Sequence, residues 1–161
     1  MTHPSRSSTF GLLNLAALLG ICLLLSGFSL AQTARKTGGD DEPVFLEYRG
    51  VQIGWMADDV RKKLGVPIDK GDEQDFYKFS DKETCQVLYD KATRKVTAIS
   101  VDFTDGASAI TPQQVFGSDI ESKADGSMYR LVRYPKKGYW VSYFRAAGNA
   151  PIVTITMQKL P

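Results

Sequence analysis

Histidine is almost absent from this chain: His3 is the only one in 161 residues. It falls inside the N-terminal segment read below as a leader, so the rest has none. That excludes Ser-His-Asp and Cys-His nucleophilic catalysis, which need an imidazole to move the proton. It also excludes histidine-ligated metal centres. Cysteine is nearly as scarce, at Cys22 and Cys85. With Cys22 in the leader, Cys85 has no internal partner, so this is not a disulfide scaffold. Cys85 also lacks a neighbouring imidazole to lower its pKa, and reads as a small buried apolar residue. No phosphate-cradling glycine loop occurs.

Charge of one sign is lacking as well. Residues 32–107 carry 12 basic and 15 acidic side chains, and residues 108–161 carry 7 and 3. That mild asymmetry is not the basic stripe of a nucleic-acid binder, so no nucleic-acid partner is expected.

There is one long hydrophobic run, Phe10 to Ala31. It follows a short start carrying Arg6 and no acid, and it ends on Ser29-Leu30-Ala31. A basic start, an apolar stretch and small residues at −3 and −1 make a secretory signal peptide. Residues 1–31 are therefore expected to be a leader, and the remainder to be exported, periplasmic or extracellular. An uncleaved anchor is the alternative, since 21 residues from Phe10 to Leu30 can span a bilayer. A lipoprotein signal wants a small residue before its cysteine, and Ile21 precedes Cys22.

Residues 32–43 are polar and Gly-rich and read as a flexible tether. Phe45 to Ile53 alternates loosely, as a strand would. Met56 to Leu64 reads as a short helix, with Asp58 and Asp59 in its first turn and Arg61, Lys62 and Lys63 in its last, the order that complements the helix dipole. Gly65 and Pro67 stop it. Strand alternation follows over 75–80, 84–90 and 96–104. Thr111-Pro112-Gln113-Gln114 resembles a capping box opening a second helix. Three more strands follow over 128–134, 139–144 and 152–158. The order helix–strand–strand–strand, twice, predicts an α+β fold of two helix-plus-antiparallel-meander units (αβββ-αβββ) over 44–106 and 107–161, with helices on one sheet face.

Two clusters stand out. Asp69, Asp72, Glu73 and Asp75 crowd one loop, but without calcium-loop spacing they read as a solvated acidic run. Residues 129–145 crowd six aromatic side chains among five basic ones. Tyr, Trp and Arg dominate protein–protein hot spots, so Tyr134, Tyr139, Trp140 and Tyr143 are candidate partner-binding residues. No catalytic, cofactor or metal-binding residue is proposed.

Residues 53–67, IGWMADDVRKKLGVP, resemble the helix motif of the SmpA/OmlA-type small outer-membrane assembly lipoproteins, through Gly54, Val60, Leu64, Gly65 and Pro67. The strands ending in KVTAISVDF extend the likeness to about residue 103. Trp55-Met56 stands where that family has Met followed by a capping Ser or Thr. The tandem layout resembles the beta-lactamase-inhibitory-protein-like fold. The resemblance implies a scaffold that binds other proteins. The expectation is an exported, non-enzymatic protein-binding module without a cofactor, whose partner is another envelope or secreted protein. The alternative is a proteinaceous inhibitor of a secreted hydrolase.

Overall fold

The computed structural model describes residues 42–161. The expected signal segment 1–31 and most of the expected tether lie outside them. Helix α1 spans Ala57–Leu64, and helix α2 spans Pro112–Phe116. The strands are β1 (Asp69–Lys70), β2 (Gln74–Ser80), β3 (Glu83–Tyr89), β4 (Val96–Phe103), β5 (Met128–Tyr134), β6 (Tyr139–Arg145) and β7 (Val153–Lys159). Among the described residues no helix is long and apolar enough to cross a membrane.

The seven strands form one antiparallel sheet in the order β1-β2-β3-β4-β7-β6-β5. This corrects the expected αβββ-αβββ arrangement of two helix–sheet units. The two α-helices among the described residues have only eight and five residues, so this part of the chain is mostly sheet. The physical reason lies in β4 and β7. Ile99 pairs with Met157, Val101 with Ile155 and Phe103 with Val153. All six are buried at the centre of one hydrophobic cluster. Separate units would expose both of these strands as apolar edges, which joining them removes.

Local signals explain the helix ends. Thr111 Oγ1 accepts from Gln114 N, and Thr111 N donates to Gln114 Oε1 at 2.9 Å, completing the capping box. Met56, the N-cap of α1, provides no side-chain cap. Its place is held by backbone pairing instead: Ala57 N donates to Arg94 O at 3.0 Å and Val96 N to Trp55 O at 2.8 Å.

Phe45 to Ile53 is not the expected strand. It is a tight turn whose pairing is the single bridge between Tyr48 and Val51. Arg49 and Gly50 take φ of 50° and 82°. Positive φ at both central residues is the signature of a primed turn, which reverses the chain before a strand can extend.

Alternation then divides the sheet into two faces. Tyr77, Cys85, Val101, Ile155 and Tyr143 pair in sequence across one row of the inner face. Asp75, Val87, Ile99, Met157, Val141 and Val132 make the neighbouring row. These residues are buried, and Val51, Val60 and Val115 from the turn and the two helices are buried with them.

Candidate functional site

The register places three rows on the outer face. The first runs Arg133, Trp140, Gln158, Ala98, Leu88, Gln74. The second runs Leu131, Ser142, Thr156, Ser100, Gln86, Phe76, and the third Tyr129, Phe144, Thr154, Asp102, Thr84, Lys78. The middle of this face is polar and internally bonded. Ser100 and Thr156 hydroxyls lie 3.0 Å apart, and Thr154 Oγ1 donates to Asp102 Oδ1 at 2.5 Å. Ser100, Gln86, Ser142 and Thr156 remain half-exposed.

Apolar side chains collect at the β5–β6 end. Tyr129 is 50% exposed, Phe144 41% and Leu131 39%, with the half-buried Trp140 in the adjoining row. Tyr129 lies directly opposite Phe144, Leu131 opposite Ser142, and Arg133 opposite Trp140. Lys123 Nζ sits 6.0 Å from the Tyr129 ring centroid, within cation–π range. The patch is therefore aromatic and aliphatic, with cations on its rim.

The four sequence-predicted partner-binding residues do not form one surface. Tyr134, Tyr139 and Tyr143 are inner-face residues and are buried. Only Trp140 belongs to the outer face. The tyrosines are core: the Tyr134 and Tyr139 rings pack at 5.9 Å, and the Tyr139 hydroxyl donates to Phe45 O at 3.5 Å. Burial pushes the Tyr139 phenol up to about 12 and raises that of Tyr143. A buried side chain cannot anchor a partner without disrupting the core, so these three are withdrawn as contact residues. Tyr129, Leu131 and Phe144 were not among the candidates. Alternation already sets Phe144 on the face of Trp140, and the pairing of β5 with β6 adds Tyr129 and Leu131 to it.

The acidic loop is not uniformly solvated either. Asp69, Asp72 and Glu73 are exposed, but Asp75 is fully buried. Arg61 Nε donates to its Oδ2 at 2.8 Å and Arg61 Nη2 to its Oδ1 at 2.9 Å, while Tyr89 donates to Oδ2 at 2.8 Å. Burial by itself would raise this carboxyl. The hydrogen bonds from Arg61 and Tyr89 and the Arg61 charge outweigh it and hold the group below its ordinary value. Burial and the neighbouring carboxylate raise the Tyr77 phenol to about 12. Every oxygen of this carboxylate is committed to the fold, so it is a clamp between α1 and β2 rather than a reactive acid. Its neighbours Asp72 and Glu73 pair with Arg94 and Lys91.

Cys85 is buried, and burial pushes its thiol up to about 12, with Glu83 adding to the rise. Among the described residues no cluster of three or more His, Cys, Asp or Glu side chains is arranged to hold a metal ion. Set against protein-family models, curated proteins and solved structures, the chain matches none of them.

Proposed function

We propose that this is an exported, non-enzymatic protein-binding module that docks another envelope or secreted protein on the β5–β6 end of its outer sheet face. The observation that carries the reading is the grouping of exposed Tyr129, Leu131 and Phe144 with half-buried Trp140 on adjacent strands, rimmed by Arg133 and Lys123. Exposed apolar patches rimmed by charge mark interaction surfaces, and Trp, Tyr and Arg supply most of the energy at such sites. The cationic rim fits a partner whose own apolar surface is bordered by carboxylates. Export rests on the leader-like segment 10–31. The segment likeness to SmpA/OmlA-type proteins points the same way, toward a protein partner.

The test is crosslinked capture from the native envelope with the full chain, its Trp140→Ala/Phe144→Ala variant, and a Lys70→Ala variant on the far edge strand. One protein crosslinked to the patch by the parent and by Lys70→Ala, and lost from the double variant, supports the reading. Equal capture by all three overturns the site. Retention of envelope glycan with no crosslinked protein overturns the partner class. A captured hydrolase whose activity falls in stoichiometric proportion identifies the binder as an inhibitor.

A further inference from the structure

A shallow groove of about 660 Å³ lies on the helical side of the molecule, away from the aromatic patch. Its walls are Gly54, Trp55 and Met56 on one side, the outward side chains of α1 on another, and Lys95 at the start of β4. Asp59, Lys62 and Lys63 are three and four residues apart, so one helical stripe delivers all of them. Lys62 is paired with Asp59 at 3.6 Å. Lys63 and Lys95 have no carboxylate partner among the described residues. The groove thus has two lysines without an ion-pair partner beside an indole and a thioether, the Lys63 chain end resting over Gly50.

The walls are held in place before any ligand arrives. Gly54 N donates to Val96 O at 2.9 Å, Val96 N to Trp55 O at 2.8 Å, and Met56 bridges Lys95. The Trp55 ring packs partly against the hydrophobic core. One side of the indole is therefore anchored while the residue lines the groove. Sites for small molecules share this plan: a few hundred cubic ångströms, an apolar wall and a small number of placed charges.

We infer that this groove binds a soluble organic anion, a carboxylate or phosphate monoester carrying one ring-sized apolar body. The apolar body lies on Trp55 and Met56, and the anionic head is held by Lys63 and Lys95. The Lys62–Asp59 pair cancels within the groove, so Lys63 and Lys95 leave it net positive and select the anion by charge, while the indole favours a flat apolar face.

Trp55 and Trp140 are the only tryptophans, so Trp140→Phe leaves Trp55 as the single indole reporter. The experiment titrates this full-length variant with phenyl phosphate and, separately, with uncharged benzyl alcohol, following indole fluorescence. The expected result is a saturable change with phenyl phosphate alone. It should weaken roughly tenfold on Lys63→Ala or Lys95→Ala, as loss of one charge-assisted hydrogen bond predicts. No saturable change, or an unchanged titration in the Lys63→Ala/Lys95→Ala variant, overturns the proposal. A response to phosphatidylglycerol vesicles but not to phenyl phosphate also overturns it, because the anion would then belong to a membrane surface. Both lysines are exposed, the Lys63 chain end lying over Gly50, and circular dichroism verifies that each variant is folded.

Discussion

Arg61 and Asp75 form a two-point ion pair across the α1–β2 junction, Nε to Oδ2 at 2.8 Å and Nη2 to Oδ1 at 2.9 Å. The same guanidinium donates to Gly71 O at 3.0 Å, so it holds the β1–β2 connection as well as the helix. An eight-residue helix has little stability of its own. Its position depends on Val60 beneath it and on this pair at its side.

Breaking the pair on one side should cost far more than removing both partners. Asp75→Ala leaves a guanidinium that is only 16% exposed with just the exposed Asp58 carboxylate, 3.6 Å from Nη1. Loss of about 3 kcal/mol in urea unfolding is expected, at the low end of the range for breaking a buried pair. Arg61→Met/Asp75→Leu should recover part of that loss. A double variant as unstable as the sum of the singles would show that the two side chains act independently.

The pair also sets an acid limit. The Asp75 carboxyl titrates below its ordinary value near 3.8 in the folded protein. As pH falls the unfolded chain therefore takes up the proton first. Stability from this group is complete above the unfolded value and drains as pH drops through the folded one. The steepest change is expected below about pH 4. Asp75→Asn, although less stable at neutral pH, should show a shallower acid limb in chemical unfolding at successive pH values. A parallel acid limb would assign acid sensitivity to other carboxylates.

Neighbouring aromatic residues on β6 should behave oppositely. Tyr143→Ala empties part of the core and should cost about 3 kcal/mol or more by thermal or urea unfolding. Phe144→Ala removes an exposed ring and should change stability by under about 1 kcal/mol. Partner capture should follow the reverse order, with Phe144→Ala the more damaging at matched folded fraction. Equal destabilisation by the two changes would contradict the assignment of faces.

Cys85 should be chemically silent while the protein is folded. In a Cys22→Ser background, iodoacetamide at pH 8 should label it only when denaturant is added. A thiol raised to about 12 and buried has almost no thiolate and no access. Labelling of the native protein at the denatured rate would show the site to be open.

The strands were legible because apolar alternation is a local property. Val153, Ile155 and Met157 stand two residues apart, and so do Cys85, Val87 and Tyr89, and all six are buried. The short helices were legible through the charge order of 57–64 and through the Thr111–Gln114 capping box. Phe45 to Ile53 misled for a local reason too: its residues suit a strand, but Arg49-Gly50 turns the backbone.

The candidate site was only partly legible. Aromatic density singled out residues 129–145, yet density does not say which face of a strand meets solvent. Tyr143 and Phe144 are adjacent in sequence and lie on opposite faces, one in the core and one at the surface. Asp75 was hidden similarly. In sequence it belongs to an acidic run, and only the pairing of β2 with β3 sets it in the row of Val87 beneath Arg61.

By itself, then, the sequence determined the scarcity of histidine and cysteine, the places where the chain alternates, and the ends of its helices, since composition, period and caps act within a few residues. The tertiary structure alone decided that β4 joins β7 into one sheet, that three tyrosines turn inward, and that Asp75 meets Arg61. Those outcomes depend on which distant segments exclude water together, and hydrophobic burial carries no direction along the chain.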